Sequence, residues 1–381
     1  LKRSRETERA DAEKRGIVAI PGKARKLADA ITPVGTCPDM CPEFERVERA
    51  VQNAVWGEEK VGMGIIARGR HMTLPIETRM VKTFKRSDAG KGEQLPSDLR
   101  PPAVLKQTCD YLFNDLLANA TSLGQVHHFL WDRTRAVRND FSIQQVTKVE
   151  DVRLAVECYE RMARFHIASL HHCATAEPYE GYSAPQEREQ LDKTLLSLMQ
   201  YYDDNRHRLE LPNEPEFRAY CILFQLRAPE PNLEDRVQSW PRNLAQDPRV
   251  QIALKLYAAA CSTERRGPFK NYPTAPVIAR QDWELFWKLI GSSQVSFLMA
   301  CVAEMHFGSV RDMVLKSIVR TSRVGKTVNG KTSGSTDWTM EELWDLFNFD
   351  EEDQLVAFCE QYGLQFQNRE DDGKAYLELG S

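Results

Sequence analysis

Between Pro101 and about Phe307, apolar residues recur at helical spacing almost without interruption, and that run decides what the chain can fold into. The breaks fall near Gly124, Pro178 to Pro185, Pro212 to Pro215, Pro229 to Pro231, Pro241, Pro248, Gly267 to Pro276 and Gly291. Proline lacks the amide donor and fixes φ, so the proline-rich breaks end helices rather than bend them. In 183–202, Ser183 and Gln186 match a capping box, and Leu191, Leu195, Leu198, Met199 and Tyr202 form one apolar stripe. A helix with such a stripe needs a neighbour. Successive helices of roughly 12 to 20 residues joined by short loops therefore predict stacked antiparallel pairs, a superhelix of the tetratricopeptide kind. No strict sequence period is present, so the repeats are degenerate.

The flanks differ. Residues 1–34 carry a surplus of Lys and Arg, few large apolar groups, and Pro21, Gly22 and Pro33, which predicts an extended basic arm. In 35–100, Phe44, Val47, Val51 and Val55 have helical spacing that Gly57 would stop, and Gly62, Gly64, Gly69 and Pro75 make the next stretch loop-like. Residues 308–381 begin with a helix from Val310 to Arg323, followed by a Gly/Ser/Lys loop and a capping box at Thr339 and Glu342 that opens a short helix. Asp350 then caps a helix with Leu355, Phe358, Cys359 and Tyr362 on one face, which Gly363 ends. The alternating segments Leu364 to Asn368 and Ala375 to Leu379 flank a turn and predict a β-hairpin. Three helices and a terminal hairpin make a winged helix. The fold class expected is all-α, a degenerate helical-repeat superhelix over 101–307 followed by a winged-helix domain, the architecture of PCI-type scaffold subunits.

Charge and composition narrow the function. No apolar run approaches the ~18 residues of a membrane helix, and the start LKRSRETERADAEKRG is unlike a signal peptide, so a soluble intracellular protein is expected. Nine cysteines scattered through helical patterns fit reduced thiols better than a disulfide framework. A formal net charge of −4 gives no overall nucleic-acid signature, so local charge has to supply one. Residues 308–331 hold it: Arg311, Lys316, Arg320, Arg323, Lys326 and Lys331 stand against one acid, Asp312. Lys316, Arg320 and Arg323 recur at i, i+4 and i+7, opposite Val310, Val314 and Ile318, and such a stripe can neutralise phosphates without reading sequence. A solvated helix face is the plainer alternative. By contrast, Asp350, Glu351, Glu352 and Asp353 at the start of the last helix would repel DNA phosphates, which argues against base-specific groove reading.

Three other motifs carry less. Gly325, Gly330, Lys331 and Thr332 satisfy a phosphate-loop pattern, but a helical pattern precedes them and no helix can start in SGSTDW, so a nucleotide hydrolase is the minor reading. Cys37 and Cys41 in CPDMCP lack a second close Cys/His pair, which favours packed thiols over zinc. No cofactor or catalytic group is expected. In WDRTRAVRNDF, Arg133, Arg135 and Arg138 alternate with Asp132 and Asp140, a pattern that suits internal ion pairs better than an RNA grip. Arg79, Lys82, Lys85 and Arg86 have less acidic compensation and could line a basic surface.

The blocks GTCPDMCPEFERVER at 35–49, LPIETRMVKTFKRS at 74–87 and FLWDRTRAVRNDFSIQ at 129–144 together resemble the GANP-type family of nuclear mRNA-export scaffolds. The resemblance implies the middle region of the large subunit of the second transcription-and-export complex, acting in the nucleus at the nucleoplasmic side of the pore. It further implies a hetero-oligomer with a second PCI-type subunit and a small, acidic, largely disordered protein, with RNA or DNA bound on a basic platform and no membrane. Leu364, Phe366, Tyr376 and Leu377 on the hairpin are the expected partner contacts. A PCI-type subunit of the proteasome lid or of a translation-initiation complex would share the architecture, but CPDMCP and WDRTRAVRNDF argue against it.

Overall fold

The computed structural model describes residues 1–18, 31–60, 65–67, 70–72, 75–85, 94–174, 181–226, 233–261, 276–322, 338–368 and 373–378. The fold is all-α with small hairpins, and the chain divides into two compact units, Leu1–Pro212 and Asn213–Ser381. That division falls inside the single 101–307 array expected from sequence.

The first unit contains α1 (Lys2–Lys14), α2 (Glu43–Val51), a short antiparallel pair of β1 (Ile65–Ala67) and β2 (Arg70–Met72), and α3 (Pro102–Asp110). A π-helical segment, Tyr111–Leu117, continues α3, and α4 (Leu123–Gln144), α5 (Val149–His172) and α6 (Ala184–Asn205) follow. The Ser122 hydroxyl caps α4 by accepting from the Gln125 amide, and Gln145 ends the helix in the left-handed region at φ 43°. Helix α5 packs against α3, α4 and α6, which accounts for its long buried face from Val152 to Leu170. The apolar stripe of α6 is buried as expected at Leu191, Leu195, Leu198 and Tyr202, but its capping box does not form. Instead Glu187 turns inward to accept from His127 Nε2 at 3.0 Å and His166 Nδ1 at 2.6 Å, joining α4, α5 and α6 through one carboxylate.

Two buried carboxylates organise the segments before α3. Asp140 on α4 accepts from Lys82 Nζ at 2.7 Å and from Arg100 Nε at 2.8 Å, all three residues being buried. Lys82 Nζ also donates to the Asp98 carbonyl at 2.6 Å, and Arg100 Nη1 to the Met40 carbonyl at 3.3 Å. Burial pulls the Lys82 pKa below its ordinary value by more than Asp140 restores. Glu59 accepts from Arg49, from Arg133 at 3.3 Å, and from the Val81 and Trp56 amides at 3.0 and 3.1 Å. Arg133 also pairs with Asp132 and lies over the rings of Trp56 and Phe129. Arg133, Asp132 and Asp140 of WDRTRAVRND are thus internal ion partners, as their alternation suggests, while Arg138 donates to Gln190 and Arg135 lies over the rings of Phe84 and Trp131.

The same network explains three departures from expectation. Lys82 is buried rather than part of a basic surface, because Asp140 lies opposite it in space. Helix α2 stops at Val51, with Asn53 at φ 54°, well before Gly57. Its orientation is inverted: Glu45 and Arg49 are buried while Val47 and Val51 are 41% and 77% exposed, since Arg49 must reach Glu59, and Glu45 accepts from the Thr83 amide and hydroxyl. Finally, residues 1–34 are not simply an extended arm. Helix α1 is docked by a bidentate pair between Arg5 and Asp98, with Arg5 over Phe44 and with Ala12 and Val18 packed on Leu95. Gly35 lies where the chain runs closest to its neighbours: a Cβ there would meet the Leu99 carbonyl oxygen at 2.6 Å.

The second unit contains α7 (Glu214–Phe224), α8 (Leu233–Gln238), α9 (Arg242–Ala245), α10 (Pro248–Cys261), α11 (Pro276–Ile290), α12 (Phe297–Glu304), α13 (Phe307–Ser322), α14 (Met340–Phe347) and α15 (Glu352–Glu360). The hairpin of β3 (Gln365–Asn368) and β4 (Ala375–Glu378) closes it, pairing Phe366 with Leu377 and Gln367 with Tyr376. Helix α10 packs on α7 and α11, α11 on α13, and α14 and α15 on each other and on the hairpin. The Thr339 capping box forms with Glu342. The N-cap of α15 is Glu351 rather than Asp350, and it makes no side-chain cap bond.

Two outcomes are expected. Asp140→Ala strands two buried cations and should lower the unfolding free energy in urea by about 3–5 kcal/mol. The second concerns pH. Burial holds the His166 pKa below its ordinary 6.5 despite Glu187, and Glu187 lies below its ordinary 4.5 because the two histidines outweigh its burial. A depressed histidine contributes stability that is complete above pH 6.5 and is lost as pH falls through its folded value; the depressed Glu187 acts in the same sense at lower pH. The unfolding midpoint should therefore fall between pH 7 and 5, and His166→Gln should flatten that part of the profile.

Candidate nucleic-acid and partner interface

Helix α13 buries Val310, Val314, Leu315 and Ile318 and turns Lys316 outward, as the i, i+4 pattern requires. Lys316 is 56% exposed and donates to Asp312 at 2.6 Å, so part of its charge is already compensated. Burial works against the Asp312 carboxylate, but hydrogen bonds from Lys316 and from the Tyr362 hydroxyl at 2.7 Å outweigh it, and its pKa lies below the carboxylate norm. Asp312 pushes the Tyr362 phenol up to about 12. Tyr362, expected on the apolar face of α15, is instead a largely exposed tether between α15 and α13. Arg320 falls within α13, while Arg323, Lys326, Lys331 and the Gly325 to Thr332 motif lie outside the described residues.

Arg311 is a correction. Its guanidinium donates to the Phe347 carbonyl at 2.9 Å and the Asn348 carbonyl at 2.6 Å, and it lies 3.8 Å from the centroid of Phe349. These carbonyls end α14, where Asn348 takes φ 51°, so the cation satisfies the C-terminal acceptors and dipole of that helix. Burial pulls its pKa down to about 10, and these two carbonyls hold it on α14 instead of leaving it free on the α13 surface. Around it Phe347, Phe349, Phe358 and Tyr362 form a chain of ring contacts.

The hairpin residues separate in the same way. Leu364 and Phe366 are partly exposed, whereas Leu377 is buried, its amide donating to the Trp338 carbonyl at 3.0 Å. Tyr376 bridges to Thr339 in antiparallel fashion, so the outer edge of β4 is covered by the chain entering α14. Leu377 is therefore a core residue, on the middle one of three short segments. Asp350, Glu351, Glu352 and Asp353 are all exposed at the start of α15. The exposed acids at the start of α15 thus stand apart from Lys316, whose charge is shared with Asp312 on α13.

Cys37 and Cys41 are buried: the Cys37 thiol donates to the Asp39 carbonyl at 3.3 Å, and Cys41 packs with Val55 and Met80. Burial pushes Cys41 up to about 12 and raises Cys37, so both are held as neutral thiols. Sequence patterning anticipated internal ion pairs for Asp132, Arg133 and Asp140 but missed Glu59, Arg49, Lys82 and Arg100 as their partners, since these lie in distant, largely irregular stretches.

Removing Arg311 leaves two carbonyls without their donor, and Arg311→Ala should destabilise the second unit by about 2–3 kcal/mol in urea. Lys316→Ala removes an exposed i, i+4 pair and should change stability by less than about 1 kcal/mol.

Residues 40–368 match the model of the SAC3/GANP family. The chain is 37% identical over its whole length to "SAC3 family protein 1" of Schizosaccharomyces pombe, covering 34% of that protein. It is 27% identical over 87% of its length to "Protein xmas" of Drosophila melanogaster and 31% identical over 75% to "SAC3 family protein B" of Arabidopsis thaliana, covering 14% and 15% of those proteins. The chain thus spans about a third of the first relative and far less of the other two. The matched span begins within the first sequence block, takes in the other two, and ends with β3: the chain belongs to the SAC3/GANP family.

Proposed function

We propose that this chain is a non-enzymatic scaffold segment of a nuclear mRNA-export complex, working at the nucleoplasmic side of the pore to couple transcription to export. The observation that carries the reading is the family match along 40–368, and the C-terminal architecture supports it. Helices α13, α14 and α15, with β3, β4 and the bridging Trp338–Thr339 segment, have the order of a winged helix. The acidic start of α15 turns this winged helix away from groove reading and toward protein docking. A second PCI-type subunit docks against it, adding to the edge of β3 and covering Leu364 and Phe366, and a small acidic disordered protein binds alongside. Lys316, Arg320 and Arg323, with Lys326 and Lys331 beyond them, form one side of a composite platform for RNA or DNA. Its binding is sequence-tolerant and salt-sensitive.

The triple variant Lys316→Glu, Arg320→Glu, Arg323→Glu tests the platform in the complex purified with its partner subunits. Titration with single-stranded RNA over a range of salt should show weaker binding and a log–log salt slope shallower by about 2, as three phosphate contacts are removed. An unchanged affinity and slope would remove the platform from this helix. Single-residue reversal of Lys316 should give a smaller loss, because Asp312 already shares its charge.

A further inference from the structure

The first unit holds a cleft that the proposed scaffold role does not use. Its volume is about 480 Å³, inside the range of ~300–1,000 Å³ usual for ligand sites. One wall is the π-helical segment Tyr111–Leu117 and the start of α4; the other comes from the turns at Gly57–Glu59 and Glu77–Arg79. A π-helix is wider than an α-helix and has poorer backbone geometry, and such segments persist mostly where function requires the altered surface. Here it sets Tyr111 and Leu116 beside Ala120 and Val126 as the floor. That floor is backed by the cluster of Leu112, Phe129, Leu130 and Phe165, so the cleft is preformed.

The rim is charged and uncommitted. Glu58, Asp115 and Arg79 all line the cleft, and among the described residues none makes a side-chain hydrogen bond or ion pair. Glu58 contrasts with its neighbour Glu59, whose carboxylate is fully used by Arg49, Arg133 and two amides. Two carboxylates against one guanidinium repel a phosphate backbone and attract a cation. The apolar floor below them calls for a large aliphatic or aromatic side chain.

We propose that this cleft is a docking site for a linear peptide segment of a partner protein, in which a large apolar side chain fills the floor and an adjacent Lys or Arg pairs with Asp115 and Glu58. Arg79 then faces a carboxylate or a backbone carbonyl of the same segment. The preformed floor provides affinity at low reorganisation, and the rim provides sign selectivity.

The test is to pan a displayed random-peptide library against the full chain and against two variants. Ala120→Trp fills the floor; Glu58→Lys with Asp115→Lys reverses the rim at surface positions, so a folded protein remains available if the larger residue disturbs packing. The proposal expects enriched peptides that pair a large apolar residue with a neighbouring Lys or Arg. These peptides should lose affinity by at least about tenfold on Ala120→Trp, and on the reversed rim the consensus should change from basic to acidic. Failure to enrich any peptide, or enrichment of peptides indifferent to the reversed rim, overturns it. So does oligouridylate that binds the wild-type chain and is lost on Ala120→Trp, which would assign the cleft to nucleic acid.

Discussion

The arrangement of the first unit depends on carboxylates that have no access to solvent. Asp140 holds Lys82 and Arg100, and Glu59 holds Arg49 and Arg133, so four cations from four separated stretches of chain converge on two anions. Apolar packing alone tolerates sliding and repacking, whereas a buried charge has to find its one partner or carry a large desolvation penalty. That requirement fixes where the irregular residues 75–85 and 94–100 lie against α2 and α4. It also accounts for the way α2 faces, since Arg49 reaches Glu59 only if the valines of the same helix turn outward. The cost of burial is visible in Lys82, which keeps its place though its charge is disfavoured there.

Much of the fold was legible because helices advertise themselves through period. The stripe of α6, the capping box of Thr339 and the terminal hairpin all follow from spacing and turn chemistry, and the structure contains them. What was not legible shares one cause. Lys82 looks like a surface cation because Asp140 is 58 positions away, and Arg311 looks like a phosphate ligand because its acceptors are the main-chain carbonyls of Phe347 and Asn348, which have no signature in the sequence. Helix α2 reverses the usual rule that the apolar stripe faces inward. The π-helical turn at Tyr111, and with it the cleft, follows from no residue pattern. Within the candidate interface, local features such as the outward direction of Lys316 and the partial exposure of Phe366 were readable, whereas the third segment that pairs with β4 was not.

Charge is distributed differently in the two units. In the first, opposite charges meet inside around Asp140 and Glu59. In the second, an acidic cluster stands exposed at the start of α15, while on α13 Lys316 is paired with Asp312 and Arg311 is spent on the end of α14. The near-neutral overall balance conceals that contrast, and it is why composition said little about nucleic acid.

The bridge between Tyr376 and Thr339 has a consequence for stoichiometry. A two-stranded hairpin normally has two free margins, and a protein with two can recruit neighbours on both sides and grow without limit. Here one margin is occupied by the chain's own Trp338–Thr339 segment. Growth of the sheet is thereby directed to a single side, so any strand added to this hairpin has one margin to join, that of β3.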